Sequence, residues 1–164
     1  MFNKILITGG CGFIGSHFVD LVLKKNLKII NLDPISRVSN IYYSKKISKN
    51  YKFYRVNTKD RLKIKKIIEN EKPNVVINFG ADTHVDRSIN KPTKFIRNNI
   101  EGSANLALEF KDYLLRHNIK NYKFIHISTD EVYGSANNKP FLEHQLLKPN
   151  SPYSSSKASV DLLL

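Results

Sequence analysis

The sequence predicts an α/β fold built on a doubly wound parallel sheet. Three observations carry that expectation. Short apolar, β-branched runs alternate with stretches of helical periodicity along the chain. The first run, "KILIT" (4–8), passes through a glycine-rich turn directly into a helical pattern. The second, "LKIINLD" (27–33), ends on an acid about 20 residues beyond that turn.

The elements follow in order. "FIGSHFVDLVLKK" (13–25) sets Phe18, Leu21, Val22 and Lys25 at helical spacing. "YKFYRVNT" (51–58) is a third, weaker strand signal, and "RLKIKKIIEN" (61–70) reads as an amphipathic helix stopped by Pro73. "NVVINFG" (74–80) reads as a buried strand. "TKFIRNNIEGSANLALEFKDYLLRHN" (93–118) predicts one long helix with Gly102 inside it, and "YKFIHIST" (122–129) another buried strand. Residues 133–152, with Asn137, Asn138, Pro140 and Pro149, predict a loop. A last helix then starts with Ser151 as N-cap and Pro152 at its first position, and the chain stops inside it on Leu162, Leu163 and Leu164. Strands that are apolar throughout imply helices on both faces of the sheet. The expected organisation is one domain over 1–164.

Composition narrows the function classes. At 164 residues and 41% hydrophobic, the chain can bury a core. The opening "MFNKILITGG" lacks a signal-peptide pattern, and no apolar run approaches the roughly 20 residues of a membrane span. A single cysteine fits a reduced compartment, so a cytoplasmic protein is expected. The net charge of +13 invites a nucleic-acid reading. The lysines are scattered, however, and the densest cluster, "RLKIKK" (61–66), mixes them with Leu62 and Ile64 as on a solvated helix face. Neither a nucleic acid nor a membrane is expected as partner, and no metal site is expected.

"TGGCGFIG" (8–15) places Gly9, Gly12 and Gly15 three apart between a strand and a helix. In a Rossmann-type domain the first glycine permits a tight turn and the second lets backbone approach a pyrophosphate. The third lets the helix pack closely on the strand, and the helix N-terminus receives the negative charge. Asp33 stands where a carboxylate accepts hydrogen bonds from an adenosine ribose and repels a 2′-phosphate, which favours NAD over NADP. Cys11 reads as a small residue in a confined turn.

Two further groups carry chemistry. Tyr153 and Lys157 lie four apart on one helix face, where an ammonium is expected to lower the phenol's pKa and make Tyr153 a base for a hydroxyl proton. Asp130 and Glu131 stand side by side at the end of a strand, a costly placement for two like charges.

These residues resemble a known family. "TGGCGFIGSH", "STDEVYG" and "YSSSK" together resemble the extended short-chain dehydrogenase/reductase superfamily. Within it, "GADTHVDRSI" (80–89), "NNIEG" (98–102) and "STDEVYG" (128–134) are most similar to dTDP-glucose 4,6-dehydratases, collinearly over the whole chain. The resemblance implies a lyase using NAD to turn dTDP-glucose into dTDP-4-keto-6-deoxyglucose, in deoxysugar synthesis such as the dTDP-rhamnose branch. It implies that Thr129, Asp130, Glu131, Tyr153 and Lys157 are catalytic and that Thr83 and Thr129 meet the sugar. Cofactor contacts fall on Gly9, Gly12, Phe13, Ile14, Gly15, Asp33, Ser36, Asn57, Thr58, Phe79, Ala81 and Asn98, besides Tyr153 and Lys157. Two acids with pKa values driven apart would serve as a base for the C5 proton (Glu131) and an acid for the C6 hydroxyl (Asp130).

Several positions depart from the family pattern. Asn57 and Thr58 replace an Asp and an apolar residue at the adenine, and Gly80, Thr83 and Asn98 replace Ala, Ser and Thr. His84 reads as a structural wall residue and His126 as a core residue of its strand. Family members continue well past the Tyr/Lys helix, so the resemblance leads us to expect that a C-terminal substrate domain is absent from this chain. The full-length family implies a homodimer, and the missing half could be a separate chain. Two other readings stand beside the dehydratase. One is a sister 4-epimerase or UDP-glucuronate decarboxylase, which shares the glycine loop and Tyr/Lys pair but usually lacks the Asp-Glu couple. The other is a non-catalytic NAD-binding fragment.

Overall fold

The computed structural model describes residues 4–136 and 139–164. Asn137 and Asn138 of the expected loop, and the first three residues of the chain, lie outside the described residues. Contacts divide the chain into two compact units.

The first unit runs to Gly80 and resumes over Asn105–Ile127. Among the described residues it holds five parallel strands: β1 (Lys4–Thr8), β2 (Lys28–Asp33), β3 (Tyr51–Arg55), β4 (Val75–Asn78) and β5 (Lys123–His126), in the order β3-β2-β1-β4-β5. The order runs outward from β1 in both directions, which is the doubly wound, Rossmann-type arrangement. Register is set residue by residue, with Leu6 opposite Ile30 on one side and Val76 on the other.

Alternation along the strands explains their continuous apolarity. Leu6, Ile30, Leu32 and Val76 face one way. They pack with Ile64, Ile67 and Ile68 of helix α3 (Arg61–Glu71) and with Leu106, Phe110, Tyr113 and Leu114 of a later helix. Ile5, Ile7, Ile29, Val75 and Ile77 face the other way, against Val19 and Val22 of helix α1 (Phe13–Lys24). Leu21 is not on the buried stripe of α1. It is exposed, and Val19 takes the core position with Val22. α3 opens on Asp60, whose carboxylate accepts from the Lys63 amide at 3.2 Å. It closes on Lys72 in the left-handed region just before Pro73.

β5 differs from the expected buried strand. Its residues are exposed or half-buried, and Ile125 is 40% exposed. The reason is position. Among the described residues β5 pairs with β4 alone and lies at the sheet edge. His126 is correspondingly half-buried, and it shares a hydrogen bond between its Nδ1 and Asn78 Nδ2 at 3.1 Å. A short helix, α2 (Tyr42–Lys45), gave no sequence signal.

The second unit comprises Ala81–Ala104 and Ser128–Leu164. The long helix expected over 93–118 is three pieces: α5 (Pro92–Phe95), a wider π-helical segment (Ile96–Glu101) and α6 (Gly102–Arg116), which carries the chain back into the first unit. Before them comes α4 (Val85–Asn90). A single 3₁₀ turn (Asp130–Tyr133) precedes irregular chain, and α7 (Pro152–Leu163) closes the unit. Phe95, Val132, Tyr153, Ala158 and Val160 are buried, while Leu162, Leu163 and Leu164 are exposed. Among the described residues no helix is long and apolar enough to cross a membrane.

Candidate cofactor and catalytic sites

The glycine turn leaves β1 with Gly9 at φ +71°, a conformation that strains any residue with a Cβ. A Cβ there would also lie 2.9 Å from the Gly80 backbone. At Gly15 it would lie 2.3 Å from the Gly9 carbonyl oxygen, so close helix–strand approach requires glycine. The Gly9 amide donates to Leu32 O and the Gly12 amide to Gly9 O, both at 2.9 Å. α3 and α7 each begin under a side-chain cap, but α1 does not, and it has no acid in its first turn. The first-turn amides of Phe13, Ile14 and Gly15 are therefore left for an external acceptor. That exposed start and the Cβ-free cradle fit a dinucleotide pyrophosphate.

Asp33 ends β2 and is 4% exposed. Its Oδ2 accepts from the Cys11 amide at 3.1 Å, and its Oδ1 from the Ile35 amide at 2.8 Å. Ser39 Oγ donates to Oδ1 as well, at 3.4 Å, so of a carboxylate's about four acceptor positions one remains for a ribose hydroxyl. Cys11 is wholly buried, and burial first, then the Asp33 charge, pushes its thiol up to about 11. It is a packing residue, as its sequence context suggested. Phe13 and Ile14 are exposed, and Phe79 is half-buried with its ring 5.2 Å from Phe18. Ser36 is exposed beside the end of β2. Asn57 is engaged locally: its Oδ1 accepts from the Lys59 amide at 3.0 Å, turning the chain toward α3. Thr58 O accepts from Asn105 Nδ2 at 3.4 Å.

In the second unit, the residues around Tyr153 converge. Thr129 caps the 3₁₀ turn, its Oγ1 accepting from the Glu131 amide at 3.3 Å. The Thr129 hydroxyl also hydrogen-bonds the Tyr153 phenol, with the Glu131 and Asp130 carboxylates close enough to act on it. Thr129 thus touches the phenol, and the charges of Asp130 and Glu131 reach it. The direction of its pKa is the reverse of the sequence expectation. Burial, reinforced by the two carboxylates, holds Tyr153 above its ordinary value, against a smaller opposing effect of Thr129. Lys157 is itself 3% exposed, and burial pulls its pKa down to about 8.

Tyr153 is held at both ends of its own peptide unit. Its amide donates to Ser88 Oγ at 3.1 Å, and its carbonyl accepts from Ser156 Oγ at 2.7 Å. Ser151 and Ser154 form a reciprocal capping box at the start of α7, as the Ser151–Pro152 pair predicted. Asn99, 1% exposed, accepts from the Asp82 amide at 2.8 Å and donates to Asp82 O and Ser156 Oγ, both at 2.9 Å. The π-helical segment is what lets neighbouring Asn98 and Asn99 both reach Asp82. Such insertions re-phase a helix and are common where side chains must be re-aimed. Asn98 Nδ2 donates to the Asp82 carboxylate, and its buried Oδ1 has no partner among the described residues, which leaves an acceptor open for a ligand amide or hydroxyl. Ala81 is half-buried and Thr83 exposed at the start of this unit, and His84 is an exposed residue heading α4. Gly10, Asn31, Ser88, Asn99 and Ser156 were given no role from sequence. The buried strand polar Asn31 was the readable signal among them.

Residues 6–164 match the family model described as GDP-mannose 4,6 dehydratase. The chain is 43% identical to a dTDP-D-glucose 4,6-dehydratase of Dictyostelium discoideum, over 99% of this chain and 39% of that protein. The crystal structure of dTDP-glucose 4,6-dehydratase from Bacillus anthracis in complex with NAD superimposes with a TM-score of 0.83 at 35% identity, over 98% of this chain and 49% of that one. A UDP-Glc/GlcNAc 4-epimerase from Campylobacter jejuni gives 0.86 at 31% identity, over 98% and 47%. The chain spans less than half the length of the curated relatives it matches. Dehydratase and epimerase backbones fit equally well, so the backbone does not separate them and the side chains must.

Proposed function

The chain belongs to the GDP-mannose 4,6 dehydratase family, and on that premise we propose that it is the cofactor-binding half of an NAD-dependent nucleotide-sugar 4,6-dehydratase. The carrying observation is the gathering of Thr129, Asp130 and Glu131 around the buried Tyr153 phenol. An epimerase or decarboxylase of the same fold needs the tyrosine but has no use for an acid and a base side by side.

Gly9, Gly12 and Gly15, with the amides opening α1, would hold the NAD pyrophosphate, and Asp33 the adenosine ribose. Asn98, Ala81 and Phe79 would serve the cofactor elsewhere, with Ser36, Asn57 and Thr58 toward the adenosine. NAD, when bound, supplies reversible hydride acceptance, taking hydride from C4 of the hexose and returning it to C6. Thr129 orients the C4 hydroxyl and Tyr153 takes its proton. The added positive charge of an oxidised cofactor, with Lys157 one turn away, would work against the burial that now raises the phenol. The C4 ketone acidifies C5. Glu131 takes the C5 proton as the C6–O bond breaks, Asp130 protonates the departing hydroxyl, which leaves as water, and a proton returns to C5 as C6 gains hydride.

The substrate indicated by the relatives' names is dTDP-glucose, and Thr83 would meet the sugar. The product is a 4-keto-6-deoxy sugar nucleotide for deoxysugar synthesis, and we place this chemistry in the cytoplasm in a homodimeric full-length enzyme. In this reading the second half of the relatives' length carries the nucleotide pocket, whose binding energy positions the hexose. The test is twofold: titrate NAD into the 164-residue chain, then assay dTDP-glucose turnover. NAD binding with little turnover is expected. Robust turnover by the chain alone would show that the substrate site has been misplaced.

A further inference from the structure

We propose that Asn31 is a positioning residue for the glycine loop, and that Tyr51 fixes the orientation in which it works. The inference rests on the reading that this loop holds NAD. Asn31 is 0% exposed in the middle of β2, where its neighbours are Ile30 and Leu32. Burying an amide among apolar side chains is costly unless each of its polar atoms is used. Here they are. Oδ1 accepts from the Gly10 amide at 3.0 Å, and Nδ2 donates to Tyr51 Oη at 2.7 Å.

The strand period makes this a paired device. Asn31 and Asp33 point to the same face of β2. They capture successive loop amides, Gly10 at 3.0 Å and Cys11 at 3.1 Å. With Gly9 donating to Leu32 O and Gly12 to Gly9 O, every amide from Gly9 to Gly12 has a protein acceptor. The amides that follow, at the uncapped start of α1, are thereby presented outward. Asn31 also explains Gly10, a glycine outside the expected triplet, because a Cβ there would lie 2.4 Å from Asn31 Oδ1.

Tyr51 decides which way the amide points. Its hydroxyl donates to the Tyr43 carbonyl at 2.6 Å, an atom that can only accept. The Tyr51 oxygen must then accept from Asn31, so Nδ2 faces Tyr51 and Oδ1 faces Gly10. A flipped Asn31 would set two donors against each other at the loop. Tyr43 continues the path to α1, its hydroxyl donating to Asp20 at 2.6 Å.

The experiment measures NAD affinity by calorimetry and exchange of the Gly10 amide by NMR on the same proteins. Asn31→Leu removes the acceptor and should weaken NAD by about tenfold or more while deprotecting Gly10. Asn31→Asp keeps an acceptor at the loop but loses the donor to Tyr51 and adds a charge on the Asp33 face, so it should keep Gly10 better protected than Asn31→Leu does while binding NAD more weakly than the parent. Tyr51→Phe removes only the orienting hydroxyl and should fall between the parent and Asn31→Leu. Val22→Ala, a core change on the same face, supplies a comparison that loses stability without touching the loop. The proposal is overturned if Asn31→Leu binds NAD no worse than Val22→Ala, or if Gly10 exchange is unchanged. Should Asn31→Leu not fold, Tyr51→Phe matching the parent in both affinity and exchange overturns it equally. If the parent chain itself does not bind NAD, the cofactor reading fails, and Gly10 exchange still decides whether Asn31 sets the loop.

Discussion

Asp33 Oδ2 accepts the Cys11 amide at 3.1 Å, so the carboxylate proposed to meet the adenosine ribose also ties down the glycine loop. Choice of cofactor and shape of the loop are therefore coupled. Asp33→Ala should shift the NAD/NADP preference toward NADP by up to about 3 kcal/mol. It should also lower stability by about 1–3 kcal/mol, because the Cys11 and Ile35 amides lose their acceptor. Asp33→Asn keeps an acceptor and should lose the preference with less of the stability. Titrating both dinucleotides alongside urea unfolding separates the two effects. Tighter NADP than NAD binding by the parent would contradict the assignment.

Gly15 and Gly12 should fail differently. An added Cβ at Gly15 meets the Gly9 carbonyl oxygen at 2.3 Å and Gly10 Cα at 2.9 Å, both backbone atoms that cannot yield cheaply. Gly15→Ala should cost about 3 kcal/mol of stability. At Gly12 the one close atom is Gly9 O at 3.2 Å, and Gly12→Ala should cost below about 1 kcal/mol yet still weaken NAD. Unfolding curves and NAD titrations on the two variants test this split.

The sheet, α1, α3 and the caps of α7 were legible because their signals are local. Apolar runs, a glycine turn, Pro73, Ser151 and Pro152 each act within a few residues. The unread parts depend on partners distant in sequence. Nothing in "FIRNNIEG" shows that Asn99 will take Asp82 and Ser156, so the π-helical break inside a helical pattern was missed. β5 looks like a core strand because its apolar residues say nothing of its place at the edge. The grouping of Thr129, Asp130 and Glu131 with Tyr153 was legible from their motifs. The direction of the Tyr153 pKa was not, because it depends on burial, which no local motif reveals, with the charges of Glu131 and Asp130 adding to it and Thr129 opposing.

Lys157 gives a pH signature. Burial lowers its pKa from an ordinary 10.5 to about 8. Between those values the unfolded chain holds a proton that the folded one has lost, so this group makes stability rise with pH from about 8 to 10.5. Below that window the buried charge is a penalty on the order of 3 kcal/mol. Lys157→Met should raise stability at neutral pH by up to that amount and flatten the rise, as urea titrations across the window would reveal. An unchanged slope would contradict the buried ammonium.

Tyr153→Phe separates chemistry from folding. The phenol's protein partner is the Thr129 hydroxyl, and its loss should cost about 1 kcal/mol. Hydride transfer should nevertheless fall by about 10²–10⁴ if Tyr153 is the base. The readout is NADH absorbance on mixing the joined enzyme described next with dTDP-glucose. Parent-like NADH formation would remove Tyr153 from that role.

The adjacent acids are tested most directly by the mass of the product. The 164-residue chain is joined to the C-terminal half of a dTDP-glucose 4,6-dehydratase and given NAD and dTDP-glucose, with and without Glu131→Gln. The parent should release a nucleotide sugar lighter by one water. The Glu131→Gln variant should accumulate NADH without that product, because C4 oxidation needs Tyr153 and only the elimination needs Glu131. An isomer of unchanged mass from the parent, or dehydrated product at the parental rate from Glu131→Gln, would contradict the dehydratase reading.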